Sequence, residues 1–435
     1  MARNEKDRRA VEWGKNLLIA LLSLSALYLL WCTQLQSSLP GQAGGGLSGL
    51  LELFRPQQSE QVSQQAVPGA VRPVRLAVYF DGQRYGVQYN TAAADAAFGE
   101  LSTLLSEALG SAEAPVQIGE QAWREALCRD GVYFDFLTPL PLATLSAWLE
   151  GGAGNPELAG TARRMCLAGN ETGGVSLFYH NEDDGLYYAC ETTLSQQLHL
   201  DSAVSEWPPN GALFAFEVEG MEILAPYTML STTPQPGTYT AANPLATDPA
   251  RLETLLSALS FHPQSGTLDP VSGGQAIEGS DTLRLDADGT VTFHSIGSDD
   301  ARFLIPGGSE GEILSYVRLL AESTAGAWCG AARLYLDEYV QTEDGWVITF
   351  QYTLEGAAVS LSEGQDAARF LVQDGAVTDF TLCLRTYTAT GQTSPVMPEH
   401  LAAAAMGALE ADGMELELCY HDSGGELVSA GWVAG

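Results

Sequence analysis

Histidines, the side chains best suited to acid–base and metal chemistry, are scattered along this chain of 435 residues. None of them shows the H-x-x-x-H or H-E-x-x-H spacing that places two imidazoles on one face of a helix to bind zinc. The pair His199 and Asp201 could set a base beside a carboxylate, although a solvated loop is the simpler interpretation. The six histidines are His180, His199, His262, His294, His400 and His421.

Carboxylates are plentiful enough to supply a glycosidase-like pair of acid and base. Adjacent carboxylates point to opposite faces of a strand, or into water from a turn. The run from Asp286 to Gly289 resembles the start of a calcium loop, but it lacks the later ligands and favours a hairpin tip. The adjacent pairs are Asp183-Asp184, Asp299-Asp300 and Glu343-Asp344.

Other catalytic motifs are missing from the sequence as well. It has no G-x-S-x-G elbow and no phosphate-binding G-x-x-x-x-G-K-[ST] loop, and no lysine follows Lys15. Schiff-base and lysine-activated serine chemistry are therefore excluded beyond that residue. We predict no catalytic, cofactor-binding or metal-binding residues and a binding or regulatory role. An anchored enzyme acting on cell-wall polymers and a passive ligand-binding module remain as alternatives.

Charge divides the chain into two unequal parts. The net charge is −34, yet residues 1–15 carry five basic and three acidic side chains, which leaves −36 for the rest. The uncharged, leucine-rich segment from Leu17 to Leu35 follows directly and is long enough to span a bilayer. Positive charge on its N-terminal side alone predicts a cytoplasmic N-terminus and an extracytoplasmic remainder. A cleaved signal peptide is the alternative, and the acidic remainder argues against nucleic-acid binding.

Six cysteines follow this segment, widely spaced and without a C-x-x-C pair. An oxidising compartment would permit disulfides, whereas the apolar runs around these residues favour buried free thiols. They are Cys128, Cys166, Cys190, Cys329, Cys383 and Cys419.

The remainder of the chain combines hairpins with separate helices. Asp-Gly pairs between strand-like runs, as in RLAVYF-DG-QRYGVQY, predict tight hairpin turns. Helical patterns stand between the hairpins rather than alternating strictly with strands, so we predict an α+β fold. The predicted organisation is a basic tail at 1–15, a transmembrane helix at 16–36, a flexible Gln- and Gly-rich stalk at 37–73, and α+β modules at 74–231, 241–330 and 331–435.

Two stretches carry a resemblance to a known family. GVYFDFLTPLPLATLSAWL, from Gly131 to Leu149, is similar to a YycH segment in which a strand leads into a proline-bounded loop and helix. The C-terminal run WVITFQYTLEGAAVSL, FLVQDGAVTDFTLCLRTYTATGQ, MPEHLAAAAMGAL and ELELCYHDSGGELVSAGWV resembles the closing YycI module of hairpin, long strand, helix and last strand pair. The chain thus resembles the YycH/YycI regulatory proteins of Gram-positive bacteria, with its acidity and long stalk as departures.

The resemblance implies regulation of the essential cell-wall two-component system WalK/WalR, also called YycG/YycF. The implied partners are a WalK/YycG-like sensor histidine kinase in the membrane and a second YycH/YycI-type protein. Family members contact the kinase partly through their transmembrane helices. Within Leu17 to Leu35 we expect the contact at Ala20, Ser23 and Leu27, which share one helical face, because small residues allow close approach.

Overall fold

The computed structural model describes residues 71–149, 154–170, 173–195, 200, 204, 209–231, 233–296, 301–408 and 413–435. The predicted tail, transmembrane helix and most of the stalk lie outside these ranges, as do Ala20, Ser23 and Leu27. Among the described helices, none is both long enough and apolar enough to cross a membrane.

The first sheet is antiparallel and has the strand order β2-β1-β4-β5-β6-β7-β3. Its strands are β1 (Arg75–Phe80), β2 (Gln83–Val87), β3 (Val116–Ile118), β4 (Gly131–Pro141), β5 (Thr161–Gly169), β6 (Gly174–Asn181) and β7 (Leu186–Ser195). The helices of this part are α1 (Thr91–Ser111), α2 (Glu120–Ala126) and α3 (Leu142–Trp148). A two-stranded ribbon follows, made of β8 (Leu213–Phe214) and β9 (Met229–Leu230).

The second sheet has the order β11-β12-β13-β14-β19-β18-β16-β17-β21-β22-β10-β20, with β15 beside β16. All its pairs are antiparallel except β17 with β21. Its strands are β10 (Gly237–Ala242), β11 (Ser265–Asp269), β12 (Gly273–Glu278), β13 (Asp281–Leu285), β14 (Thr290–His294), β15 (Arg333–Thr342), β16 (Gly345–Leu354), β17 (Ala357–Leu361), β18 (Ala368–Gln373), β19 (Ala376–Cys383), β20 (Thr386–Thr393), β21 (Leu416–Asp422) and β22 (Leu427–Ala434). The helices in this part of the chain are α4 (Pro244–Thr247), α5 (Ala250–Ala258), α6 (Glu310–Ser323) and α7 (Glu399–Ala408).

Local sequence explains how the long helices begin. The Asn90 side chain caps α1 by accepting a hydrogen bond from the Ala93 N–H at 3.0 Å. At the start of α6, Ser309 and Glu312 form a reciprocal capping box. Both helices place their apolar residues on one buried face, as the sequence spacing predicts.

Asp-Gly turns close five hairpins of the described chain, between β1 and β2, β6 and β7, β13 and β14, β15 and β16, and β18 and β19. Left-handed backbone at both turn positions, as at Asp374 (φ 48°) and Gly375 (φ 76°), matches the twist of the flanking strands. Asp130-Gly131 differs, because it follows α2 and begins β4 without a hairpin. The predicted α+β fold is confirmed, while its transmembrane part stays a prediction.

One continuous apolar core includes residues from both sheets. Phe134 and Leu177 of the first sheet and Phe350 and Phe370 of the second belong to it, and each is at most 2% exposed. Segments 241–330 and 331–435 both supply strands to the second sheet, where β14 pairs with β19. The strand and helix predicted from Gly131 to Leu149 are present as β4 and α3, joined directly at Pro141.

Candidate functional site: a buried charge cluster

The described histidines lie apart from one another. His294 Nδ1 is 2.6 Å from Asp379 Oδ1 on an exposed sheet face, and His180 Nδ1 is 3.2 Å from Glu182 Oε1. His199 and Asp201 fall outside the described residues. Within the described chain, no group of three or more His, Cys, Asp or Glu residues is arranged to hold a metal ion.

The predicted carboxylate pairs occupy turns where the structure describes them. Asp184 accepts hydrogen bonds from the Leu186 N–H at 2.9 Å and the Tyr188 hydroxyl at 2.7 Å. Asp286 pairs with Arg284 at 2.8 Å, and Asp288 accepts from the Thr290 N–H at 2.9 Å. The run from Asp286 is therefore the tip of the β13–β14 hairpin, as predicted. Glu343-Asp344 forms the exposed β15–β16 turn, and Asp299-Asp300 lies outside the described residues.

Each of the six described cysteines is unpaired. The buried ones are Cys166, Cys190, Cys329 and Cys419, whereas Cys128 is exposed and Cys383 half-buried. Burial raises the pKa of the Cys166 and Cys190 thiols to about 12 each, so these thiols are poor nucleophiles.

The most concentrated charge in the described interior is a group of three arginines and three carboxylates, which we term the charge cluster. Strands β1, β4 and β5 of the first sheet supply four members, and the last hairpin supplies two from β21 and the residue before it. The members are Arg75, Asp135, Arg163, Arg164, Glu415 and Glu417.

Asp135 is the centre of the charge cluster and is 1% exposed. Its Oδ2 accepts from Arg75 Nη1 at 2.8 Å, and its Oδ1 accepts from Arg163 Nε at 2.8 Å. Oδ1 also accepts from the Leu137 N–H at 2.9 Å, at a bulge in β4 where Leu137 has a φ of 68°. The irregular backbone therefore turns toward the carboxylate and hydrogen-bonds it.

The same arginines reach the C-terminal hairpin. Arg75 Nη1 lies 3.0 Å from Glu415 Oε1, and Arg163 Nη2 lies 2.8 Å from Glu417 Oε1. Arg164 also donates to Glu415. Residues about 340 positions apart in sequence, Arg75 and Glu415, are thus joined by buried ion pairs.

Burial opposes ionisation of Asp135, but Arg163, Arg75 and Arg164 outweigh it and hold the pKa of its carboxyl well below its usual range. Burial also disfavours the charged form of Arg163, yet Asp135 and Glu415 raise its pKa. With three arginines and three carboxylates, the formal charges of the charge cluster sum to zero. These ion pairs fasten the C-terminal hairpin to the first sheet.

Sequence reasoning missed the charge cluster. Charged residues inside strand-like apolar runs could have indicated it. They are Asp135 in GVYFDFL and Arg163-Arg164 in TARRMCLAG. A buried charge needs a partner, so each run required an opposite charge from elsewhere. The partners at Glu415 and Glu417 could not be assigned, because many of the 54 carboxylates were equally eligible.

Comparison with known proteins gives a result at the level of fold. No family model matches the chain, and no curated protein matches its sequence. The solved structure of YycH from Bacillus subtilis superposes with a TM-score of 0.52 at 12% identity, covering 84% of this chain and 93% of that one. The chain therefore has a YycH-like fold over most of its length.

A second solved structure is the dehydratase domain from the terminal module of the rifamycin polyketide synthase. It has a TM-score of 0.14 at 14% identity, covering 65% of this chain and 96% of that one. This value is too low for the likeness to bear on fold or activity.

Proposed function

We propose that the protein is a membrane-anchored, extracytoplasmic regulator of a sensor histidine kinase of a cell-wall two-component system, without catalytic activity of its own. The observation that carries the proposal is the YycH-like fold, which extends over 84% of the chain. The sequence resemblance to YycH/YycI-type proteins supplies the regulatory role and the WalK/YycG-like partner. A second YycH/YycI-type protein is proposed as a further partner.

The proposed topology is a cell-membrane protein with a single span at 16–36 and a cytoplasmic N-terminus. It is supported by the uncharged run from Leu17 to Leu35 and by the basic residues before it. The stalk at 37–73 then separates the modules at 74–231, 241–330 and 331–435 from the bilayer. The proposed contact with the kinase helices uses Ala20, Ser23 and Leu27.

Regulation requires that the protein bind one signalling state of the kinase more tightly than the other, because equal affinity shifts no equilibrium. A threefold change in kinase activity corresponds to a differential affinity of only about 0.7 kcal/mol.

The direct experiment reconstitutes a WalK/YycG-like sensor histidine kinase in proteoliposomes, with and without the full chain. We expect its autophosphorylation rate to change at least roughly threefold, the size set by the differential affinity of the two states. An unchanged rate at saturating, verified co-incorporation would contradict the proposal.

The contact face has its own test by co-purification from detergent. Replacing Ala20 and Ser23 with leucine should reduce recovery of the kinase, because larger side chains prevent close helix packing. Ser25→Leu is the matched control, since on a helix of 3.6 residues per turn it lies roughly opposite this face. Equal recovery with the double variant and the control would eliminate this face as the contact.

A further inference from the structure

Most buried carboxylates of the described chain are paired with arginine. Five carboxylates are buried in these ranges, and four of them form ion pairs with an arginine side chain. Glu399, at the start of α7, is the exception, because no ion pair of the described chain includes it. A buried carboxyl group without a cation favours its protonated form. The four paired carboxylates are Asp135, Asp281, Glu415 and Asp422.

Neutral groups from two other elements hold the side chain of Glu399. Its Oε2 accepts from the Ser231 N–H at 3.1 Å, and its Oε1 accepts from Gln88 Nε2 at 3.4 Å. Ser231 directly follows β9 and Gln88 directly follows β2, so Glu399 ties α7 to the ends of both strands. Gln88 Nε2 also lies 2.9 Å from Ser231 Oγ and 3.1 Å from the Met229 carbonyl oxygen. Its two N–H groups serve three acceptors, so this amide compensates a charge on Glu399 only in part.

The charged groups on the surrounding elements have other partners or are exposed. Glu217 pairs with Arg84, and Glu415 and Glu417 pair with arginines of the charge cluster. Within the described ranges, none of the surrounding groups forms a hydrogen bond or ion pair with Glu399, and burial raises its pKa to about 7. The titratable groups on the surrounding elements are Arg84, Tyr89, Glu217, Glu219, Glu222, His400, Glu415 and Glu417.

Apolar contacts hold α7 only weakly. Its inner face contributes two alanines and one methionine to a small apolar cluster that includes Leu224 and Leu416. Alanine buries little apolar area, so its burial contributes little to the docking of the helix. A helix of ten residues is marginal in water by itself, so α7 depends on these contacts and on the state of Glu399. The three buried side chains of α7 in this cluster are Ala402, Ala403 and Met406.

We propose that Glu399 is a pH switch for α7: the helix is docked while this carboxyl group is protonated, and it is released when the group ionises. In the docked helix the ionised carboxylate lies buried without a cation, whereas release lets water hydrate it. Release also uncovers Leu224 and Leu416, which are 2% and 4% exposed with α7 in place. The switch is a property of this chain alone, and only its response to external pH rests on the proposed function.

The experiment is hydrogen exchange of the full chain in detergent micelles at pH 5, 6, 7 and 8, with mass spectrometry of peptides from α7. Dividing each rate by the intrinsic rate of the same sequence at that pH gives the opening constant of the helix. The docked pKa of Glu399 is about 7 and that of a released glutamate is about 4.3, so docking is strongest below the lower value and weakens as the pH rises to the higher one. We expect the opening constant to increase at least roughly tenfold from pH 5 to pH 8, and to level off above pH 7.

Two variants assign this response to Glu399. Glu399→Gln carries a neutral amide at every pH, so its α7 should keep the low opening constant of the protonated protein. Glu222→Gln is the matched control, because it replaces an exposed glutamate between two residues that pack against the same apolar cluster. Helix α1 is the internal reference, and α7 should open more often than α1 at each pH because its release is local.

The unaltered protein keeps the test decisive even if Glu399→Gln fails to fold. An opening constant of α7 that stays the same from pH 5 to pH 8 would overturn the proposal. A folded Glu399→Gln protein with the pH response of the unaltered protein would overturn it as well. Equal opening constants for α7 and α1 at every pH would mean that α7 opens only when the whole molecule unfolds, which also contradicts the switch. None of these outcomes bears on the proposed kinase regulation, because the experiment contains no kinase.

Discussion

The carboxylate of Asp135 contacts arginines from two different strands, so its removal is the residue-level test of the charge cluster. Asp135→Asn keeps the shape of the side chain but leaves a buried excess of positive charge. We expect the free energy of unfolding to fall by about 3 kcal/mol or more, as when one partner of a buried ion pair is lost. Urea unfolding monitored by circular dichroism measures this change.

Glu125→Gln provides the control for that variant. Glu125 on α2 lies 3.4 Å from Arg129, which follows the helix, and their side chains are 52% and 39% exposed, respectively. Exposed pairs of this kind contribute about 0.5 kcal/mol or less, so the control should unfold almost like the unaltered protein. If the two variants lost similar amounts of unfolding free energy, burial would not strengthen the ion pairs of the charge cluster.

Glu399 gives the residue-level prediction for pH. Its carboxylate, 8% exposed, accepts from the Ser231 N–H at 3.1 Å and from Gln88 Nε2 at 3.4 Å. Burial raises its pKa to about 7. The folded chain therefore holds this proton more tightly than the unfolded chain, whose glutamate pKa is about 4.3. Its contribution to stability is greatest below that value and declines as the pH rises to about 7.

Measuring the free energy of unfolding at several pH values tests whether stability declines as the pH rises. Glu399→Gln should remove the decline and should be more stable than the unaltered protein at pH 8, by at most roughly 4 kcal/mol. Glu100→Gln, at an exposed position on α1, is the matched control for replacing a glutamate with glutamine. A parallel pH dependence in the unaltered and Glu399→Gln proteins would disprove the assignment.

At the scale of elements, the hairpin turns depend on backbone geometry more than on contacts. Gly375, with a φ of 76°, has no atom within 4 Å of where a Cβ would lie. Gly375→Ala should therefore destabilise the protein by about 1 kcal/mol through backbone strain alone. Gly99, inside α1, is equally open but has no positive φ, so Gly99→Ala should stabilise it by about 0.5–1 kcal/mol.

Thermal unfolding of the two glycine variants measures these opposite changes in stability. If Gly375→Ala stabilised the protein, the β18–β19 turn would not require a positive φ at this position. The prediction of this turn came from sequence alone, because Asp-Gly between alternating apolar residues specifies a two-residue turn locally. Asp130-Gly131 carries the same dipeptide without such a hairpin, since α2 rather than a strand precedes it.

For the whole molecule, the shared core and the charge cluster connect the two sheets. We expect the described part of the chain to unfold in one calorimetric transition, with calorimetric and van't Hoff enthalpies in agreement. Two separated transitions would instead support independent folding of the predicted modules at 74–231 and 331–435. Asp135→Asn should move or broaden this single transition, because it weakens the attachment of β21 to the first sheet.

The sequence by itself determined features that depend on neighbouring residues. The α+β class, the hairpin turns and the hairpin tip at Asp286 to Gly289 follow from local spacing and turn chemistry. The absence of lysine after Lys15 excludes lysine chemistry beyond it without any structure. The membrane segment is also a sequence-based prediction, and it awaits its own test.

Only the tertiary structure decided which distant residues meet. Arg75 and Glu415 are 340 positions apart, and Glu355 meets Tyr239 and Tyr420 because β10, β16 and β21 converge in one sheet. The helix and strand propensities of neighbouring residues do not predict such pairings. The free energy that selects them comes from burying charges and apolar surface together. The charge cluster therefore emerged only from the folded chain.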